Sequence, residues 1–173
     1  QINIEGACFI ADNLILANRG NKGYPFNHLL VVDTNFWKVN NAHSVQVIPL
    51  QRQTDTASFK GDSGLCYSKQ KDQLIMTVST EDTRSAREDG TIGKSYLWIV
   101  DSISHRLTSG SLSPGKMIDL ETIDPRFKGQ KIESATIIEE SKDFIRLALV
   151  ADNDDGSSTI FKMSIKGNCS FLL

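Results

Sequence analysis

Several short stretches of this chain place oxygen-bearing side chains where they could do chemistry. Glu5, Ser63 and Glu133 each open a segment of similar sequence, and Asp152-Asn153-Asp154-Asp155-Gly156 crowds carboxylates and an amide together. Asn18, Arg19 and Asn21 follow one apolar run, and Glu81 and Asp82 follow another. Carboxylate, amide and carbonyl oxygens suit hard divalent cations, so the cofactor such a set would take is Ca2+ or Mg2+. A cation of this kind can polarise a scissile oxygen or activate water. Arg19 could clamp a phosphate or carboxylate with two parallel hydrogen bonds. Purely structural readings compete with each of these. Asp-Gly is a favoured turn pair, so residues 152–156 also read as a hairpin turn. They depart from an EF-hand loop, because the Gly comes one place early and no Glu stands at the twelfth position. Glu5 and Glu133 also read as hydrogen-bonded carboxylates joining neighbouring units, and Arg19 as ion-paired with Glu133 or Glu81.

A β framework must position these residues. No long stretch shows apolar residues at helical spacing; short β-branched and aromatic runs alternate with Gly, Asn, Asp and Ser. Residues 7–10, 14–17, 29–33 and 44–50 read as four strands. Residues 65–68, 74–79, 96–101 and 116–121 read as four more, and 134–139, 145–151, 159–165 and 169–173 as a third set. The sets align. Ile4-Glu5-Gly6-Ala7-Cys8-Phe9 matches Asp62-Ser63-Gly64-Leu65-Cys66-Tyr67 and Ile132-Glu133-Ser134-Ala135-Thr136-Ile137. Second strands match as Leu14-Ile15-Leu16-Ala17, Leu74-Ile75-Met76-Thr77 and Ile145-Arg146-Leu147-Ala148. Third strands match as Leu29 to Asp33, Leu97 to Asp101 and Ile160 to Ser164. Four-stranded repeats of this length mark a β-propeller. The expected fold is all-β: three four-stranded antiparallel blades (residues 1–55, 56–125 and 126–173), half of a six-bladed propeller. A β-sandwich with chance similarities is the competing fold. Since rings use ~4–8 blades, the expected partner is the missing propeller half, from a longer chain or from a second copy of this one. In a propeller, Glu5, Ser63 and Glu133 start innermost strands. Asn18, Arg19, Asn21, Glu81, Asp82, Asp152, Asn153, Asp154 and Asp155 end second strands. All of them would then ring one channel mouth.

Ile4-Glu5-Gly6-Ala7 with Ala17-Asn18-Arg19-Gly20-Asn21, and Ile132-Glu133-Ser134 with the run from Asp152 to Ser158, resemble a family of uncharacterised bacterial six-bladed propellers. More distantly they are similar to phytase-like esterase propellers and to the senescence marker protein/gluconolactonase superfamily. The resemblance covers most of the chain as short blade motifs. In gluconolactonase-like proteins the Glu of a Glu-Gly opening is a divalent-metal ligand, joined by Asn and Asp from other blades. The resemblance therefore implies a ligand role for Glu5, and for Glu133 in part, with Ser134 replacing Gly; Ser63 stands where unit two would carry Glu. Asp152 and Asp154 are candidate ligands or bases. Asn18, Arg19, Asn21, Glu81, Asp82 and Asn153 are candidate ligand-binding residues.

Composition excludes other classes. The net charge of −2 is spread along the chain, without the basic stripe that nucleic acid or an anionic membrane requires. The longest apolar runs are strand-sized, far short of the ~20 residues of a membrane span. The opening Gln1-Ile2-Asn3-Ile4-Glu5 reads as a fragment or processed chain and leaves the compartment open between cytoplasm and periplasm. Three Cys without CxxC spacing argue against a disulfide scaffold or zinc site. Cys8, Cys66 and Thr136 share one repeat position and read as small core-facing residues. Gly61-Asp62-Ser63-Gly64 copies a protease nucleophile motif, but His28 and His43 precede Ser63 too closely for a trypsin-like triad, and the repeat accounts for the motif. Trp37 and Trp98 read as core, His105 as a loop residue, and residues 81–88 as a solvated loop or lid. Two functions follow: a hydrolase-like propeller acting on a small ester, lactone or phosphate, or a non-enzymatic scaffold for a protein or glycan. Convergence of the side chains on one point discriminates between them.

Overall fold

Runs rich in Val, Ile, Leu and aromatic residues, bounded by turn formers, favour strands, and twelve strands form among the described residues. The computed structural model describes residues 2–21, 23–36, 38, 44–50, 59–81, 92–153, 155–166 and 171–172. Sheet 1 comprises β1 (Ile4–Ile10), β2 (Asn13–Asn18), β3 (His28–Asp33) and β4 (Gln46–Pro49). Sheet 2 comprises β5 (Lys60–Ser68), β6 (Gln73–Glu81), β7 (Ile92–Asp101) and β8 (Lys116–Asp119). Sheet 3 comprises β9 (Ile132–Glu140), β10 (Phe144–Asp152), β11 (Ser158–Lys166) and the two-residue β12 (Phe171–Leu172). Every pairing between these strands is antiparallel and joins consecutive strands, and an isolated parallel bridge links Leu50 to Leu112. Among the described residues no helix is long and apolar enough to cross a membrane.

The strands of sheet 2 run past their expected ends, so Ile92 to Ser95, expected in a loop, belong to β7. The last expected strand of sheet 2 stops early. Asp119 accepts the Glu121 N–H with its side chain and turns the chain into a 3-10 segment, Leu120–Thr122. His105 lies in a one-turn helix, Ile103–Arg106, rather than a loop. Asp72 holds that turn by accepting the backbone N–H and hydroxyl of Ser104.

Sheet 2 is packed on both faces, which explains why β6 and β7 are apolar without alternation. Leu65, Leu74, Met76, Val78, Trp98 and Val100 join Ile10, Ile15, Ala17, Leu29, Val31 and Ile48 of sheet 1 in one core. Ile75, Leu97 and Ile99 join Ile132, Leu147, Leu149, Phe161 and Met163 of sheet 3 in a second. β10 and β11 bury only alternate residues, as strands with one packed face do. The sheets also meet along their first strands: β1 packs on β5, and β5 on β9. Gly6 and Gly64 permit this. A Cβ on Gly6 would lie 2.9 Å from the Gly64 Cα, and one on Gly64 would lie 2.7 Å from the Glu133 carbonyl oxygen.

Candidate functional site

β1, β5 and β9 share an irregularity that the amino-acid pattern does not announce. Register shifts between Ile4 and Gly6 against β2, and between Asp62 and Gly64 against β6. It shifts again where Ile132 and Ser134 face Ala151 and Val150 of β10. The extra residue in each case is Glu5, Ser63 or Glu133, the matched positions of the repeat. A β-bulge leaves one residue out of the ladder, bends the strand and re-aims its side chain. Antiparallel pairing brings the ends of β2, β6 and β10 to the same end of each sheet.

At the joint of sheets 1 and 2, Arg19 crosses from the end of β2. Its guanidinium donates to the Ser63 hydroxyl at 3.4 Å and to the Ser79 hydroxyl at 3.3 Å, and these two hydroxyls lie 3.2 Å apart. Gly61 makes the room, because a Cβ there would sit 2.5 Å from the Arg19 Nε. Asn27 ties the β2–β3 loop to β5: its side-chain oxygen accepts the Gly20 N–H and its amide donates to the Lys60 carbonyl. Asp62 is wholly buried beside this group, and neither carboxylate oxygen has a hydrogen-bond partner. Burial pushes its carboxyl up to about 7, against the opposing pull of the Arg19 charge.

At the joint of sheets 2 and 3 the same role falls to Ser95, which donates to the Gln130 carbonyl and accepts the Ile132 N–H. Lys131 Nζ lies 3.3 Å from Glu133 Oε1. Asn153 accepts the Lys131 N–H and donates to Gln130 Oε1 and the Ser157 hydroxyl.

The expected site residues thus divide. Arg19 and Ser63 are brought together, and Glu133 is ion-paired with Lys131. Glu5 is exposed at its bulge. Asn18 accepts the Asn3 N–H, and Asn21 accepts the N–H groups of Gly23 and Tyr24, so both serve local structure. Asp152 is exposed on the face of β10 opposite its buried Leu147, Leu149 and Ala151. The chain bends at Asp155 and Gly156: Asn153 N–H bonds the Ser157 carbonyl, Gly156 takes φ +85°, and hydrogen bonds from Ser157 hold the Asp155 carboxyl below its ordinary range. Asp82 and Asp154 lie outside the described residues, as does the expected 81–88 lid beyond Glu81, which ends β6. Among the described residues no group of three His, Cys, Asp or Glu is arranged to hold a metal ion. Glu133 is engaged by Lys131, and Asp152 is turned outward.

Asp62, Ser79, Asn27, Ser95 and Lys131 were not among the expected site residues. Ser79 and Asn27 carried no motif. Asp62 did stand in the Gly-Asp-Ser-Gly motif, whose two glycines are set by packing against Arg19 and β9. Ser63 meets a hydroxyl and a guanidinium there, neither of them a base.

Cys8 and Cys66 are half-buried against the two cores, and burial raises both thiols to about 12. Thr136, at the equivalent place in sheet 3, is exposed rather than core-facing, because no sheet among the described residues packs beyond it. Iodoacetamide at pH 8 should therefore label Cys8 and Cys66 only on unfolding. Labelling of either in native protein at the rate of a free thiol, read by peptide mass spectrometry, would contradict this.

Fold and site define an all-β protein of three stacked antiparallel sheets, with a group of buried polar residues (Asn27, Asp62, Ser63 and Ser79) near the start of β5. Over residues 1–165 the chain matches a family of unknown function, DUF6929, and it belongs to that family. No curated protein and no solved structure matches it significantly.

Proposed function

We propose that this chain is part of a six-bladed β-propeller that serves as a binding module, and that it takes a small anionic ligand at the channel mouth. The observation that carries the reading is the bulge at Glu5, Ser63 and Glu133, repeated in three equivalent strands. Bulges that recur at one structural position re-aim side chains and gather beside functional sites. Stacking of the three sheets along their first strands supports the propeller, because blades meet that way around a central channel. Arg19 supports an anion. Its guanidinium is held by two serine hydroxyls before any ligand arrives, which lowers the cost of ordering it on binding, and the next joint supplies Lys131. Architecture alone assigns no activity, so the ligand class rests on these cations.

Calorimetric titration with inorganic phosphate tests the reading. Saturable binding is expected, weakened at least tenfold by Arg19→Met and kept by the Glu5→Gln, Glu133→Gln double variant. Absence of phosphate binding in the wild type would sink the anion site. Calcium binding that the double Glu variant loses would favour the metal-dependent hydrolase instead.

A further inference from the structure

Among the described residues no further sheet covers the two end faces of the stack. Register shows which residues would be covered. In sheet 2, Leu65, Leu74, Met76, Trp98 and Val100 point toward sheet 1 and are buried. Their repeat equivalents in sheet 1 are Ala7, Leu14, Leu16, Leu30 and Val32, which point away from sheet 2. Phe9, the equivalent of the packed Tyr67, is 57% exposed, and Val47 on the same face is 54% exposed. No polar residue alternates with these apolar ones on β3, as it would on a strand built to keep one face in water. The face also holds a depression of about 430 Å³, lined among others by Tyr24, His28, Leu30, Val45 and Val47.

The opposite end of the stack carries the complementary surface. Cys8, Ile15, Ala17, Leu29 and Val31 of sheet 1 point toward sheet 2, and register makes their equivalents in sheet 3 Thr136, Ala148, Val150, Ile160 and Lys162. Ile160 projects there at 68% exposed and Ile138 at 49%. Each internal joint sets a sheet 1-type inner face against a sheet 2-type outer face, so the unmatched faces of sheets 3 and 1 are the two halves of one more such joint. We infer that a second copy of this chain covers both: the outer face of its sheet 3, led by Ile138 and Ile160, packs into the apolar face and depression of sheet 1, and the contact is repeated reciprocally. Two identical joints between unlike faces close a ring of six sheets without leaving an apolar face free. This rests on the propeller reading, but not on the anion, since Arg19, Ser63 and Ser79 belong to one copy.

Sedimentation velocity across a range of protein concentration, with Val47→Glu and Ile160→Glu variants, tests it. Both positions are exposed, and circular dichroism verifies that the variants fold. The wild type should sediment as twice its 19.2 kDa. Each variant alone should dimerise at least tenfold more weakly. A mixture of the two should recover dimer, because one joint of the mixed pair is then wild type at both faces. A wild type that stays at 19.2 kDa at every concentration would overturn the inference. So would a dimer broken by Val47→Glu but untouched by Ile160→Glu, which would mean that sheet 1 packs on itself. Phosphate binding that survives in either case would leave the anion site standing.

Discussion

Replacing Asp62 by Asn should stabilise the protein above pH 7 and remove a fall in stability that the wild type shows between about pH 4 and pH 7. The carboxyl titrates near 3.8 in an ordinary setting and is raised to about 7 in the fold, chiefly by burial. Between those values the folded chain keeps a proton that the unfolded chain has released. Stability therefore declines as pH rises through this window, and above about 7 both states are ionised and the loss is complete. The difference corresponds to on the order of 4 kcal/mol, a large share of the stability of a domain this size. The sign has a structural cause: both oxygens are buried without a donor, so ionisation there is opposed by more than the Arg19 charge returns. Denaturant unfolding at pH 5 and pH 8 makes the comparison. The wild type should be less stable at pH 8 than at pH 5 by a margin that Asp62→Asn lacks. Arg19→Met should widen the wild-type margin, since it removes a charge that favours the ionised form. Parallel pH profiles for wild type and Asp62→Asn would mean that Asp62 is already satisfied in solution, by an ordered water or by movement of a neighbour.

Gly64→Ala should lower global stability more than Gly61→Ala, although both glycines belong to the same four-residue motif. The Cβ added at Gly64 would lie 2.7 Å from the Glu133 carbonyl oxygen and 3.1 Å from the Ser134 Cα, both backbone atoms of β9. Neither can rotate aside, so β5 and β9 must separate, and overpacking of this kind costs about 1–3 kcal/mol. The Cβ at Gly61 would meet the Arg19 side chain, at 2.5 Å from Nε, and a long side chain can swing away. Gly61→Ala should then keep most of the stability and lose the orientation of the guanidinium, and with it phosphate affinity. Denaturant midpoints and the phosphate titration, run on both variants, separate the two effects. A Gly64→Ala protein as stable as wild type would show that the first strands are not in tight contact, and would remove the main support for the stacked arrangement.

Much of the framework was legible because it is local. Alternation at β10 and β11, the unbroken apolar runs of β6 and β7, and turn residues between them mark strands wherever the chain goes next. The bend at Asp155 and Gly156 behaved as the short-range chemistry of those residues requires. Matching of Glu5, Ser63 and Glu133 came from comparing the chain with itself, which needs no knowledge of the fold. Leu120 and Glu121 were misassigned because a side-chain cap from Asp119 overrode a strand-like pattern, and Thr136 because its equivalents Cys8 and Cys66 are covered by a following sheet that Thr136 lacks.

The sequence by itself determined that the chain is all-β, that it is built from three repeated strand sets, and that oxygen-bearing residues cluster at strand ends. Those properties depend on side-chain type and on spacing along the chain. Only the tertiary structure decided that the repeat openings are bulges, that Arg19 reaches across to Ser63 and Ser79, and that Asp62 is sealed from water. It also decided that Asn18, Asn21 and Asn153 are engaged in their own neighbourhoods rather than turned toward a common ligand. The cross-sheet contacts depend on what another sheet brings against the residue, and a carboxylate that is unremarkable on an open strand becomes a buried, poorly ionised group once it is enclosed at the joint of sheets 1 and 2.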